Sequence, residues 1–347
     1  MPDTPDTAAK PVATVAILTY NGEQYLERIL KKLRKQEIDK PFEVLVIDSG
    51  STDGTLDILT RYPEVRVHEI PNEEFGHGRT RNLAAQLARG EFVAFLTHDA
   101  VPSTKHWLAE MLDPFERFPQ VVAVLGKQVA RPRSFPLQRY EIYGMFRNLG
   151  PDFGTTQFYR TPELVQKPAV VDAMSYYSDV NSAVRRDFLL DVIPYRDVRY
   201  AEDQLFGRDV IEEGYVKAYA PRASVEHSND LTYAEYGHRI FDETVGLRQN
   251  GHDIPTISRL AVLRYALIGS LGDDLRISRD RAYSPQRKLF WLVVNPFYHL
   301  RKWRSYRAST LVDLSDQGAI KAGSLEHKRK VRHEARAKSG AAQRVGD

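Results

Sequence analysis

Apolar and polar positions in the first third of the chain switch between two periods. Residues 12–20 (VATVAILTY) form a nearly unbroken apolar run rich in β-branched side chains, which predicts a buried strand. In GEQYLERILKKLRKQ (22–36), Tyr25, Leu26, Ile29, Leu30 and Leu33 recur at helical spacing. FEVLVIDSG (42–50), VRVHEI (65–70) and EFVAFLT (91–97) read as further strands, with GTLDILTRY (54–62) and GRTRNLAAQLARG (78–90) as the helices between them. Strands alternating with helices require crossover connections. The expected fold is therefore α/β, a mostly parallel central sheet with helices on both faces. Ligands of such sheets sit beyond the carboxyl ends of the strands. Those ends carry Thr19-Tyr20-Asn21, Asp48-Ser49-Gly50 and Thr97-His98-Asp99, so three polar clusters meet at one edge.

The pattern is less regular beyond residue 110. VVAVLGKQVA (121–130) and YYSDVNSAVRR (176–186) predict strands, separated by a stretch that reads as loop-rich and aromatic. AEDQLFGRDVIEEGY (201–215) predicts a helix opening on two acids, and 216–230 a pair of strands ending at His227. After Tyr233 the periodicity is helical, and from about Ser315 the chain is polar, with disorder expected.

Composition narrows the function classes. Hydrophobic content of 42% allows a sizeable core without staples. The absence of cysteine excludes a disulfide framework, a thiolate zinc site and a cysteine nucleophile, and fits a reducing cytosol. MPDTPDTAAKP has neither the basic nor the apolar stretch of a signal peptide, and no apolar run is long enough to span a bilayer. The net charge of +3 is unevenly spread, with basic clusters at 301–304 and 327–330. SPQRKLFWLVVNPFYHLRKWRSYR (284–307) sets Trp, Tyr and Phe among Lys and Arg, broken at Asn295-Pro296. That make-up suits an interfacial segment on an anionic membrane, or equally a helix packing its apolar face on the protein. No RNA-binding motif accompanies it, so no nucleic-acid partner is expected.

Several polar residues carry candidate chemistry. Asp53 before a helix is an ordinary N-cap, whereas Asp48 lies at the ligand edge. Arg79 and Arg81 fall in the first turn of a helix, where the dipole disfavours cations; a nearby anion would remove that conflict, though a solvated pair is the alternative. Glu202 and Asp203 suit a first turn on dipole grounds alone and also place two carboxylates together.

In order along the chain, ILTYNGEQYL, VIDSGSTDGT, Arg81-Asn82, FLTHDA, Glu202-Asp203 and His227 resemble an inverting glycosyltransferase of family 2 with the GT-A fold. FGHGRTRN, YSDVNSAVRR and YAEDQLFGRDVIEEGY are similar, more narrowly, to bacterial rhamnosyltransferases that use dTDP-L-rhamnose. The resemblance implies a GT-A domain over 12–235, its half at 12–110 binding the nucleotide-sugar and its half at 111–235 the acceptor. C-terminal helices over 236–310, with a membrane-facing segment at 285–307, follow, and disordered ends are expected at 1–11 and 311–347.

The same resemblance implies site residues. Asp48 would accept the imino N–H of a uracil or thymine ring, with Thr19, Tyr20, Asn21 and His98 around the donor, although for His98 the residues alone suggest only a structural role. Arg81, rather than Arg79, would meet the diphosphate. Asp99 and His227 would hold Mg²⁺ or Mn²⁺; the family often has a further acid where this chain has Thr97. Asp203 would be the general base that takes the acceptor hydroxyl proton, and Asp179, Asn181 and Glu202 would line the acceptor pocket. The acceptor would be a polyprenyl-diphosphate-linked or free oligosaccharide, met at the inner face of a bacterial cytoplasmic membrane. A UDP-hexose donor, or a scaffold that has lost catalysis, are the alternatives.

Overall fold

The computed structural model describes residues 10–161, 163 and 168–332. Of the ends expected to be disordered, 1–9 and 333–347 lie outside the described residues. The chain divides into two units, residues 1–131 with 142–227, and residues 132–141 with 228–347.

The first unit runs β1 (Ala13–Thr19), α1 (Glu23–Leu33), β2 (Phe42–Asp48), α2 (Thr55–Leu59), β3 (Val65–Glu69), α3 (His77–Leu87), β4 (Phe92–Thr97), β5 (Val101–Pro102), α4 (Trp107–Arg117) and β6 (Val121–Val129). It continues through α5 (Pro136–Leu149), whose residues from Ile142 belong to it, then β7 (Thr156–Phe158), α6 (Pro168–Ser175), β8 (Asn181–Arg185), α7 (Arg186–Asp191), α8 (Glu202–Glu212) and β9 (Val216–Glu226). The strands form one sheet in the order β3-β2-β1-β4-β8-β6-β9-β5, with β7 also on β9.

Successive residues of a strand point to opposite faces, and β1 shows both faces covered. Val15 and Ile17 pack with Leu26, Ile29, Leu30 and Leu33 of α1. Ala16, between them, packs with Leu45, Ile47 and the Ala84-Ala85 pair of α3. Thr19 of β1 is level with Asp48 of β2, and Leu18 with Thr97 of β4, so the polar strand ends do meet at one edge.

In the first unit the sequence pattern and the structure differ in three places. The sheet is parallel through β3, β2, β1 and β4, but β8 enters antiparallel between β4 and β6. Residues 216–226 are one strand, not two: the register with β6 jumps from Gly126↔Ala220 to Lys127↔Ser224. The jump bypasses Pro221, which has no N–H to give a ladder. The aromatic stretch after Arg131 contains two helices. Pro136 opens α5, where its missing N–H costs nothing, and Phe146 and Leu149 at its far end are buried in the core.

The second unit holds α9 (Tyr233–Gln249), α10 (Arg259–Arg279), α11 (Pro285–Thr310) and α12 (Gln317–Gly323). Thr232 and Glu235 form a capping box on α9, and Ser258, Ser284 and Asp316 cap the helices that follow. Phe135, Leu137 and Tyr236 make its core with Trp291 and Tyr298. The expected break at Asn295-Pro296 does not occur, and α11 runs through it. Packing holds the helix there: the Asn295 amide donates to Asp274 at 3.0 Å, and His299 meets Asp273 at 2.9 Å. Nor is the chain from 311 to 332 disordered. Ile320 is fully buried with Phe241 and Val245, and the Leu325 and Glu326 N–H groups donate to Asp242.

Candidate functional site

All of the candidate residues lie in the first unit, and most of them belong to two clusters. The first is built around Arg81, only 7% exposed on the first turns of α3. Its guanidinium lies 3.0 Å from Asp179 and is hydrogen-bonded to Glu202. Asn82 beside it clamps the Tyr195 backbone from both sides, at 2.8 and 3.0 Å, and the Tyr195 hydroxyl donates to Asp179 at 2.8 Å. Gly78 permits this approach, because a Cβ there would meet the Arg196 carbonyl at 2.1 Å. Helix α8 enters through Ala201 in the left-handed region, φ 59° and ψ 35°, which sets Glu202 and Asp203 at its first turn.

Asp203 accepts the Gln204 N–H at 2.8 Å and the Asp179 N–H at 3.3 Å. Two carboxylates thus pair with the one guanidinium and a third, Asp203, lies beside them, and the consequence differs for each. Burial, then the charges of Glu202 and Asp179, push Asp203 up to about 8. Burial also raises Asp179, more than Arg81 and Ser182 lower it. Burial opposes the ionisation of Glu202 as well, but contact with Arg81 more than offsets this and holds it low.

The second cluster stands at the end of β4. Thr97 donates to Asp99 at 2.8 Å, and His227 Nε2 is 3.4 Å from the other Asp99 oxygen. Gln128 donates to the Ser178 hydroxyl at 3.1 Å, so its carbonyl faces His227 Nδ1 at 3.0 Å. A proton on Nδ1 has its acceptor in Gln128, and Nε2 is the ring nitrogen that faces Asp99, the atom a metal-ligating histidine would use. Arg131, stacked 3.9 Å over the Tyr25 ring, donates to the Asp99 carbonyl and lies 3.7 Å from its carboxylate. Burial raises the Asp99 carboxyl, yet His227, His98 and Arg131 outweigh it and hold the group well below the ordinary range. The two clusters are joined, since Ser178 precedes Asp179.

The other expected residues are placed as follows. Asp48 is fully buried, and its two oxygens take the Gly50 and Ser51 N–H groups and the Ser51 hydroxyl. Those bonds shape the turn that follows β2. Arg81 answers the helix dipole with Glu202 and Asp179 in place of a diphosphate, while Arg79 is exposed and 4.0 Å from Asp197. Asn181 is fully buried and spent on Trp107, Lys127 and Ala223, so it ties strands together and lines no pocket. Asp179 and Glu202 belong to the ion cluster and are buried. Asn21, at φ 53°, holds the loop at Thr52. Thr19 Oγ1 and Asn21 Nδ2 are buried without hydrogen-bond partners, and Gly22 brings Thr19 against His98. Tyr20 is half-buried in the same loop. Arg131, Gln128 and Tyr195 escaped the sequence reading; only the polar end of β6, with Gln128 three positions before a proline-flanked Arg131, hinted at the first two.

The family model for glycosyl transferase family 2 matches residues 14–192, just over half of the chain. The O-antigen chain rhamnosyltransferase WbaN of Salmonella anatum is 31% identical over 68% of this chain and 72% of its own. RfbN of Salmonella typhimurium, of the same description, is 28% identical over 67% and 71%. Among solved structures, a Pyrobaculum calidifontis mannosyltransferase in complex with GDP-Man and Mn²⁺ superposes with a TM-score of 0.52 at 20% identity, over 93% of this chain and 89% of that one.

Proposed function

The chain belongs to glycosyl transferase family 2, an enzyme with the GT-A fold, and from that premise we propose that it transfers L-rhamnose from dTDP-β-L-rhamnose with inversion at C1. The acceptor in this reading is a lipid-linked saccharide at the inner face of a bacterial cytoplasmic membrane, and the product a cell-surface polysaccharide such as an O-antigen. What supports the donor is the likeness to two O-antigen rhamnosyltransferases over two-thirds of the chain. What supports the chemistry is one observation above the others. Asp203 sits at a helix start with its pKa raised to about 8, near the pH at which a general base exchanges protons best.

In this reading Asp203 takes the proton of the acceptor hydroxyl as its oxygen attacks C1 and the bond to dTDP breaks on the opposite face. Asp99 and His227 Nε2 fit a divalent cation: hard oxygen and imidazole donors, with Gln128 as the acceptor for a proton on Nδ1. Bound there, the cation supplies charge neutralisation to the leaving diphosphate. Among the described residues no three His, Asp or Glu side chains gather to cage a metal. Arg131 places a fixed positive charge beside Asp99, and Arg79 offers an exposed one on α3.

The test is a panel of sugar nucleotides with purified protein and a lipid-linked acceptor fraction, with and without EDTA. Release of dTDP from dTDP-rhamnose, abolished by EDTA, is the expected result. Preference for UDP-glucose or UDP-galactose would overturn the donor, turnover indifferent to EDTA would remove Asp99 and His227 from a metal role, and no turnover with any donor would leave a binding scaffold.

A further inference from the structure

Helix α10 turns outward the residues that a water-facing helix normally hides. Leu260, Leu263, Leu267, Ile268, Leu271 and Leu275 are 57% to 76% exposed and recur at spacings of three and four, which places them on one stripe. The buried stripe is the more polar one, with Ser270 and Asp273 among Val262, Ala266 and Ile277. Helix α11 repeats the inversion. Leu289, Phe290, Val293 and Phe297 face out, while Asn295 and His299 are buried and bonded to Asp274 and Asp273. Polar pairs inside and leucines outside suit a hairpin whose surroundings on that side are not water.

Charge identifies the surroundings. Residues 259–310 hold eleven Lys and Arg against three Asp, a net of +8 in a chain whose total is +3. Arg276, Arg279, Arg281 and Arg287 cluster about the turn between the two helices, all exposed, and Arg301, Lys302, Arg304 and Arg307 mark the other end of α11. Docking a second copy of this face would bring two such charges together, which opposes self-association. Among the described residues no helix is long and apolar enough to cross a membrane. We propose that the α10–α11 hairpin docks in the plane of an anionic lipid bilayer, its leucine stripe at the acyl boundary and its arginines on the headgroups. This relocates the membrane-facing segment expected at 285–307. Trp291 and Tyr298 are taken into the core of the unit, Trp303 stacks on Tyr265 with centroids 4.9 Å apart, and α10 supplies most of the apolar surface. The inference rests on the second unit alone and stands or falls independently of the donor chemistry.

The test is co-sedimentation of the full chain with vesicles of phosphatidylcholine, with and without phosphatidylglycerol. The native protein is expected to partition at least about tenfold more strongly to the anionic vesicles. The triple variant Leu267→Ser, Ile268→Ser, Leu271→Ser should lose roughly a hundredfold in partition. Arg279→Glu with Arg281→Glu should lose about tenfold, on anionic vesicles only. All five positions are exposed, and unchanged circular dichroism and dTDP binding show that the variants fold. The chain has no cysteine, so a Leu271→Cys variant can carry an environment-sensitive fluorophore that shifts to the blue on vesicles. A label at Thr60→Cys should not shift. Native protein left in the supernatant, binding untouched by the triple variant, or a dimer that the triple variant dissolves without any vesicle binding would each overturn the proposal.

Discussion

Replacing Asp203 with Asn should abolish transfer and, at the same time, stabilise the protein. The side chain keeps its size, and its single carbonyl oxygen can still accept the Gln204 N–H; the longer bond from the Asp179 N–H, made to the other Asp203 oxygen, is given up. What it loses is the ability to take a proton, worth about 10²–10⁴ in rate for a general base. What the fold gains follows from the charge count, three carboxylates against Arg81. Asp203 titrates at about 8 in the folded chain, against roughly 3.9 when unfolded. The sign is set by that order: the protonated form's contribution to stability is complete below about pH 4 and is lost as pH rises through 8. Four units correspond to an upper bound on the order of 5 kcal/mol, of which Glu202 and Asp179 share part.

The Asn variant escapes that loss. Its melting temperature should match wild type near pH 4, exceed it increasingly through the neutral range, and level off above pH 8. A gain of about 2 kcal/mol there is a rise of about 5 °C. The assays are differential scanning fluorimetry across pH, dTDP titration calorimetry, expected to change less than about twofold, and release of dTDP during transfer. In wild type the transfer rate itself should rise about tenfold per pH unit up to about 8. Turnover within tenfold of wild type would put the base elsewhere. A melting gain that is absent, or the same at every pH, would refute the buried-charge reasoning.

Arg81→Ala leaves three buried carboxylates uncompensated and should cost about 3–5 kcal/mol in denaturant melts, whereas Arg79→Ala, on an exposed side chain, should move stability by less than about 0.5 kcal/mol; equal effects would mean the Arg81 cluster contributes nothing. Gln128→Leu frees the His227 ring and should weaken Mn²⁺ binding by about 10–100-fold in calorimetry with dTDP present, and unchanged affinity would mean that His227 is no ligand. Ala201→Gly removes the left-handed strain, worth about 1–2 kcal/mol, against a glycine entropy cost of about 0.5–1 kcal/mol. Its melting temperature should hold or rise slightly, and a drop of several degrees would show that the alanine methyl itself packs.

The parts of the fold that follow from local pattern were legible in the sequence. The strand–helix alternation before residue 110 and the polar strand ends at one edge follow from it, whereas the pairing of Asp99 with His227 came only with the family resemblance. Partners far away along the chain were not. Arg81 meets Glu202 across 121 positions, and nothing near Arg81 in sequence shows that its anions are side chains of the same protein. Asn181 reads as polar and available until Trp107, 74 positions away, takes its oxygen. Helix α10 hid its meaning differently. Both of its stripes contain apolar residues, so periodicity finds the helix but not the side that faces out. Pro296 misled for the opposite reason, because a local helix breaker was overruled by packing against neighbours that only the fold supplies.

In the proposed mechanism the two clusters divide the acid–base roles between them. Environments that drive neighbouring carboxyl groups apart in pKa mark which one holds charge and which one moves protons. Asp99 is surrounded by His227, His98 and Arg131 and is held far down, so it stays ionised and can keep a cation through the catalytic cycle. Asp203 is surrounded by Glu202 and Asp179 and is driven up, so it is the group able to change protonation during a turnover. One run of contacts, from His227 through Gln128 to Ser178 and on to Asp179, whose N–H reaches Asp203, fixes both at once. This also explains how the site tolerates Thr97. The hydroxyl orients Asp99 without adding a charge, and Arg131 beside the carboxylate already supplies the positive field that a diphosphate needs.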